Sequence, residues 1–153
     1  MVEDDLWQQV VLFLGRGHEI EARTLEGIQI EHVEKGLIRC KFVVPKHLSD
    51  KDGNWQVGAM ATLIDVIGSA AIFTCTPHLK GSVVIDISYF STAKIQEEVE
   101  IEAKVVGQTG KILGVVVVIS KKGGGEMISL GKQWMASTNQ PHTPPTNINP
   151  SKL

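Results

Sequence analysis

The sequence predicts an α+β fold in which a mostly antiparallel sheet wraps around one long central helix. Two observations support this prediction. Residues 57–74 form a long apolar run at helical spacing, and about four strands separated by tight turns follow it. Neighbouring strands with a single long helix are typical of an α+β domain. Because a helix this apolar needs cover on every side, wrapping the sheet around it is the simplest way to bury it.

The residues before the central helix predict a shorter helix followed by a hairpin. Asp4 or Asp5 is expected to cap this first helix, and two glycines are expected to end it. From about residue 28 the hydrophobic period changes to two, so residues 28–44 are predicted to form a β-hairpin. The first helix carries one apolar stripe, made of Leu6, Trp7, Val10, Val11 and Leu14.

The residues after the central helix are predicted to be strands only. Residues 82–90 are rich in Val and Ile, and residues 98–105 alternate apolar with charged side chains, which is typical of a sheet with one face in water. Residues 112–119 are a continuous apolar run, so we expect a central strand buried on both faces. Residues 127–136 complete the predicted sheet.

Length, composition and charge limit the classes of function. The chain has 153 residues, 42% of them hydrophobic and 21% charged, as expected for one globular domain. A net charge of −2 gives no basic surplus for nucleic acid, and no apolar stretch approaches the ~20 residues of a membrane helix. The two cysteines and five histidines lack ligand spacing, so no metal is expected. The acidic N-terminus argues against a leader, and we expect a soluble intracellular protein.

Residues 138–153 are predicted to be a flexible tail attached to a single domain at residues 1–137. Four of the six prolines lie in this tail, together with three asparagines and no periodic apolar pattern. The sequence ends in Ser151-Lys152-Leu153, the tripeptide of the peroxisomal address. The tail therefore predicts peroxisomal localisation and binding to the peroxisomal import receptor.

Asp65 is the only charged residue of the central helix. A buried carboxylate is costly unless it is paired, protonated or used in chemistry. Its neighbours three, four and seven positions away share its helix face, which leaves room for a ligand or another backbone. From the helix pattern alone, Asp65 is either a structural hydrogen-bonding group or a functional carboxylate. Apart from Ile72, these neighbours are small: Gly58, Ala61, Thr62, Gly68 and Ser69.

Two motifs in the sequence resemble a known family. The chain resembles the hot-dog thioesterases of the phenylacetate-pathway type, and within them is most similar to the small acyl-CoA thioesterases called thioesterase superfamily member 2 or acyl-CoA thioesterase 13. The resemblance covers roughly residues 5–137 and implies the hot-dog fold. The motifs are Ala61-Thr62-Leu63-Ile64-Asp65, after the loop that begins at Gly53, and Tyr89-Phe90-Ser91-Thr92-Ala93-Lys94, after a strand that begins at Ser82.

This resemblance implies hydrolysis of a thioester by a carboxylate. In the family, the Asp that matches Asp65 acts as general base on a water or as nucleophile, and a Ser matching Ser82 helps to hold that water. A loop Asn also contributes, and here Asp50 matches it by position, while Asn54 is the alternative. A His-Gly-Gly at the helix start supplies a backbone N–H to the thioester carbonyl.

The sequence departs from the family at the helix start. Gln56-Val57 replaces the His-Gly pair, while Gly58 keeps the second glycine. The Val57 backbone retains its N–H at a helix N-terminus, where the partial positive charge favours an oxyanion. Gln56 retains a side-chain donor. Asp50, unlike Asn, accepts a hydrogen bond from water but does not donate one.

The leading hypothesis is an acyl-CoA thioesterase of fatty or aromatic acyl-CoA metabolism, with its site shared between subunits of a homodimer or homotetramer (a dimer of dimers). The alternative is a non-catalytic acyl-CoA binding module, which the departures from the family favour. No cofactor is expected, since coenzyme A is part of the substrate. Further candidate substrate-binding residues are Trp55 for the acyl chain, Ser69 on the Asp65 face, and Lys121 and Lys122 for the phosphates of coenzyme A.

Overall fold

A computed structural model describes residues 2–76 and 78–137, with side chains from residue 5 onward except that of residue 80. The predicted tail at 138–153, with its tripeptide, lies outside the described residues, and the single-domain boundary stays a prediction. No helix in the described part of the chain is long and apolar enough to cross a bilayer. The elements are α1 Val2–Leu14, α2 Glu19–Leu25, β1 Gln29–Glu34, β2 Leu37–Val43, a 3₁₀ turn Lys46–Leu48, α3 Val57–Phe73, β3 Leu79–Tyr89, β4 Glu98–Thr109, β5 Ile112–Lys121 and β6 Met127–Ser137.

The six strands form one antiparallel sheet in the order β1-β2-β4-β5-β6-β3. The sheet curves around α3, which contacts β4, β5 and β6 with its apolar side. Gly131 on β6 allows this close approach, because a Cβ there would lie 2.5 Å from Cγ2 of Ile64. The predicted α+β architecture with a long central helix is confirmed.

The strand order leaves β3 at one edge of the sheet, next to β6 alone. This edge strand has 11 residues, and several of its apolar side chains are exposed. On the neighbouring strand β6, Trp134 is 45% exposed and pairs with Gly114 of β5. The exposed apolar residues at this edge, here called the β3 edge patch, are Val83, Val84, Ile85, Tyr89 and Phe90.

Three expectations about the elements need correction. The first helix begins at Val2, so Asp4 and Asp5 lie inside it and neither is the capping residue before it. Strand β5 is central but buried on one face only, because its even-numbered residues from Val116 are half-exposed. Helix α2 was not predicted. It is short and mostly polar, and it packs against α3.

The N-terminal segment closes the side of α3 that the sheet leaves open. Helix α1 packs on β1 and α3, and the rings of Phe13 and Phe73 stack with centroids 4.8 Å apart. Helix α2 then crosses the outer face of α3. Cys40 lies in the core, where burial raises its thiol pKa to about 12, as expected of a small apolar side chain and not of a nucleophile.

Candidate active site

Asp65 lies at mid-length of α3 and is partly exposed. Its carboxylate borders a cavity of about 270 Å³ between α3 and the connection from α1 to α2. The sequence left open whether the small-residue face of α3 makes room for a ligand or for another segment of the chain. Residues 13–21 cover this face, and a cavity remains between them and α3. The cavity is lined by Phe13, Leu14, Arg16, Gly17, His18, Glu21, Asp65, Val66 and Ser69.

Two side chains from the sheet hold the Asp65 carboxylate. Gln133 donates from Nε2 to Oδ1 of Asp65 over 2.6 Å and to Oγ of Ser82 over 2.8 Å. Ser82 in turn lies within 3.4 Å of the same Oδ1 and donates to it. The three residues come from α3, β3 and β6, and we call them the Asp65–Ser82–Gln133 cluster. The predicted proximity of Asp65 and Ser82 is therefore present within one chain.

Sequence reasoning missed Gln133, which is 1% exposed and lies on the inward face of β6 between Gly131 and Met135. This face also carries Ser129 and Ser137, so the alternation of β6 does not mark Gln133. The unexplained Gly68 was the available signal: a Cβ at that position would lie 2.5 Å from Oε1 of Gln133. The absence of a side chain at Gly68 therefore makes room for the Gln133 amide next to the Asp65 carboxylate.

The start of α3 presents backbone donors that have no acceptor among the described residues, beside an open space. Gln56 is the extended residue before the helix, with φ −66° and ψ 135°, and its side chain donates to the Ser49 carbonyl over 3.3 Å. The N–H groups of the first turn have no acceptor inside a helix. Val57 is 54% exposed and Gly58 has open space where a Cβ would stand. The Tyr89 hydroxyl donates to the Val57 carbonyl over 3.4 Å and ties β3 to this end of α3.

A second cavity, of about 840 Å³, adjoins the helix start. Gln56, Gly58 and Thr62 border it from α3. Side chains of the α1–α2 connection, of α2 and of the 3₁₀ turn border it from the opposite side, and several of them carry nitrogen groups. These are Arg23, His18 and His47, and Glu19 lies among them.

The loop before α3 positions Asp50 and Asn54 differently. Oδ1 of Asp50 accepts the backbone N–H groups of Asp52 and Asn54 over 2.9 and 3.0 Å. The Asn54 N–H is the main reason that the pKa of Asp50 lies below its ordinary value, while desolvation opposes the shift. Asp50 therefore closes its own loop. Oδ1 of Asn54 is buried without a hydrogen-bond partner among the described residues.

The other predicted substrate-binding residues lie apart from the cluster or are engaged locally. Trp55 is 1% exposed and packs in the core against Phe42, with ring centroids 5.5 Å apart. The Ser69 hydroxyl donates to the Asp65 carbonyl over 2.7 Å, although Ser69 also borders the Asp65 cavity. Lys121 pairs with Glu97 and Lys122 with Glu98, each over 3.2 Å.

Side chains in the described residues form no group of three or more His, Cys, Asp or Glu that could hold a metal. The donors and acceptors at the site are thus a carboxylate, an amide, a hydroxyl and backbone N–H groups. A carboxylate fixed by two donors can accept a proton from a water, and helix N–H groups can stabilise a developing oxyanion. These groups are the ones that hydrolysis of an ester or thioester requires.

Comparison with known proteins identifies the family. Residues 53–128 match the family model "Thioesterase superfamily". Acyl-coenzyme A thioesterase 13 of Mus musculus is 30% identical over 112 residues, which cover 72% of this chain and 79% of that protein. The crystal structure of thioesterase superfamily member 2 from the same organism superposes with a TM-score of 0.75 at 26% identity, over 89% of this chain and 97% of that one.

A more distant neighbour has the same fold. The PaaI protein of E. coli, from the phenylacetic acid degradation operon, superposes with a TM-score of 0.75 at 14% identity, over 90% of this chain and 96% of that one. The expected hot-dog fold is confirmed, and so is the resemblance to this group of thioesterases. The chain therefore belongs to the thioesterase superfamily and is a thioester hydrolase built on the hot-dog fold.

Proposed function

We propose that this protein hydrolyses fatty or aromatic acyl-CoA thioesters with Asp65 as the general base. The observation that supports it most directly is the Asp65–Ser82–Gln133 cluster, which holds one carboxylate at the wall of a cavity. The mouse relative is named for acyl-coenzyme A, and that substrate class is carried to this chain as part of the proposal.

The proposed reaction uses water as the nucleophile. Asp65 takes a proton from the water while the water oxygen bonds to the thioester carbon, and a backbone N–H at the start of α3 stabilises the oxyanion. The tetrahedral intermediate then breaks its C–S bond and releases the free acid. The proton that Asp65 holds goes to the departing thiolate, so that coenzyme A leaves as a thiol.

One chain alone does not bring its base and its helix start to one carbon atom. Asp65 lies seven residues beyond Gly58 on the same helix, which is about 10 Å along the axis at the standard rise. Water and oxyanion are bonded to the same carbon and lie within a few ångströms. We therefore propose that the helix start of a second copy faces Asp65, so that two shared sites form in a homodimer.

The β3 edge patch supports this assembly. A long strand with exposed apolar side chains at a sheet edge is a template for pairing with another strand. We propose that two copies join at this edge, and that a homotetramer, if formed, is a dimer of such dimers. Arg23 at the cavity beside the helix start, together with Lys121 and Lys122, would face the phosphates of coenzyme A, and Trp55 would support the acyl side from the core.

A free-thiol assay with a panel of acyl-CoA substrates tests the proposal, with wild type and Asp65→Asn compared at equal concentration. Asn keeps the shape of the side chain but is a poor base, so kcat should fall by about 10²- to 10⁴-fold. Equal rates in the two proteins would remove Asp65 from the mechanism. Tight coenzyme A binding without thiol release from any substrate would instead establish the binding-module alternative.

We also propose that the protein acts in peroxisomes, a proposal that rests on Ser151-Lys152-Leu153 alone. The natural protein with a fluorescent N-terminal fusion should colocalise with a peroxisomal marker, and deletion of the tripeptide should disperse it. Identical distributions of the two proteins would contradict this localisation.

A further inference from the structure

We propose that Gln133 is a positioning residue that acts through Asp65, fixing its carboxylate and the Ser82 hydroxyl for attack on the thioester. The inference rests on the proposed function and deepens it. It starts from the position of the amide, which is buried in the sheet beneath α3 and reaches the carboxylate from the side opposite the cavity.

The amide of Gln133 commits both of its hydrogens to the site. One N–H points to Oδ1 of Asp65 and the other to Oγ of Ser82. Because the Ser82 oxygen accepts from Gln133, its own hydrogen is free to point at the same Oδ1. All three hydrogen bonds therefore fit one state, in which Asp65 is an ionised acceptor. The other carboxylate oxygen, Oδ2, receives none of these bonds and is left for a water.

Stability alone does not explain this arrangement. Oε1 of Gln133 is buried without a partner among the described residues, and an unsatisfied buried carbonyl oxygen destabilises a fold. Gly68 within α3 is a second destabilising choice relative to Ala, and it is the residue that makes room for Oε1. The buried Oε1 and the glycine at position 68 both accompany the same contact, the hydrogen bond from Nε2 of Gln133 to Asp65.

The reverse orientation of the amide does not fit the same cluster. Turning it over would place Oε1 against the ionised Oδ1 of Asp65, where two acceptors repel, and would leave the amide hydrogens facing Gly68. The titratable and charged groups that share the cavity with Asp65 are Arg16, His18 and Glu21. Unlike them, an amide does not titrate, so Gln133 donates in the same way across the pH range.

Substitution at position 133 tests the proposal. Gln133→Met keeps a long unbranched side chain but has no donor, and we expect kcat to fall about 10- to 100-fold with KM changed less than about threefold. Lys132→Met is the matched control, because Lys132 is the adjacent, exposed residue of the same strand, and it should leave both constants unchanged. Thermal unfolding of both variants checks that the sheet is intact.

Gln133→Glu supplies a readout that a purely structural role would not change. It preserves shape but places a second carboxylate beside Asp65, and two carboxylates at this distance share a proton. The acid side of the kcat–pH profile should therefore move to higher pH. An unmoved profile, or a Gln133→Met enzyme with wild-type kcat, would overturn the proposal.

A double-mutant cycle with Gly68→Ala separates displacement of the amide from loss of packing. The added methyl pushes on Oε1, so Gly68→Ala alone should lower kcat, whereas in a Gln133→Ala background it should add little. Equal effects in both backgrounds would contradict the proposal.

The side-chain amide protons of Gln133 give a readout that does not need turnover. They should be protected from exchange in wild type and should change chemical shift in Asp65→Asn. A wild type without thiol release but with these signals would refute the proposed function alone. Unprotected amide protons would refute the role of Gln133, whatever the activity.

Discussion

The middle and the start of α3 differ in how complete they are within one chain. At the middle, Asp65 is held by two side chains from the sheet. At the start, Val57 is 54% exposed, a Cβ at Gly58 would meet nothing within 4 Å, and the one carboxylate of the helix, Asp65, lies two turns away. Under the proposed mechanism, one protomer therefore completes the proton-accepting half of the site and only exposes the oxyanion-binding half.

The two halves also differ in what they require of the sequence. A carboxylate needs particular side chains around it, which here are Ser82 and Gln133. A backbone N–H is supplied by the helix itself, whatever the side chain, provided that it is accessible. Under the proposed mechanism, Gln56-Val57 can therefore stand where the family has His-Gly, whereas the base must be the side chain of Asp65.

The largest expected effect breaks the link between the two halves. Val84→Lys places a charge in the β3 edge patch and should prevent pairing of two sheets. If the helix start of one copy serves Asp65 of the other, the dissociated protomer loses its oxyanion donors, so activity should fall by more than about 10²-fold. Light scattering and the free-thiol assay, run at one protein concentration, measure both changes.

Val106→Lys is the control for that variant, because Val106 is also an exposed valine in a strand, but it lies on β4 away from the edge. It should keep the wild-type mass and rate. A fully active monomeric Val84→Lys enzyme would rule out a site shared between chains.

A smaller effect examines the helix start by itself. Val57→Pro removes one N–H at the first helical position, where proline is well tolerated, and Gln56 already has the extended backbone that precedes a proline. If the Val57 N–H holds the oxyanion, kcat should fall about 10²-fold with little loss of stability. Kinetics of Val57→Ala, which keeps the N–H, provide the comparison.

Equal kcat in Val57→Pro and Val57→Ala would assign the oxyanion to the Gly58 N–H instead. In that case the oxyanion-binding half of the site would still lie at the start of α3, with Gly58 in place of Val57 as the donor.

The smallest effect concerns the loop that leads into the helix start. Asp50 has a lowered pKa because it accepts two backbone N–H groups, so its contribution to stability is present above its ordinary value of 3.8 and is lost as pH falls through the lower folded-state value. Asp50→Ala should therefore be less stable than wild type at neutral pH, and the gap should close in strongly acidic buffer. Denaturant unfolding at several pH values measures it.

Asp50→Asn separates charge from geometry in that experiment, since its carbonyl oxygen still accepts from the loop. Its stability relative to Asp50→Ala should not change with pH over the titration range of Asp50. A pH-independent gap between wild type and Asp50→Ala would show that Asp50 does not contribute through its ionised form.

The fold was largely predictable because its elements follow strong local patterns. The apolar run at 57–74 and the alternation at 98–105 predicted α3 and β4, and their bounds differ by only a few residues from those observed. Helix α2 was not predictable in this way. Its seven residues are mostly polar, with no long apolar stripe, and it lies against α3, which local sequence does not specify.

The candidate site was predictable in one half and not in the other. Asp65 stands out because a charge interrupts an apolar helix, and Gly68 indicated a close contact. Gln133 did not stand out, because the same face of β6 carries other polar residues and its contact with Asp65 depends on the register of β6 against β3 and β5. For Trp55 the sequence favoured packing and offered the acyl channel as the alternative, and the fold buries this residue beside Phe42.

By itself, the sequence determined that the chain forms a sheet around one apolar helix and that this helix carries a single carboxylate. Periodicity decides which faces are buried, and it acts over distances of a few residues. Only the tertiary structure decided which partners the carboxylate receives, since Ser82 and Gln133 are distant along the chain and meet Asp65 through strand pairing. Hydrogen bonds of this kind depend on donor–acceptor distances and angles, and the spacing of residues along the chain does not determine these.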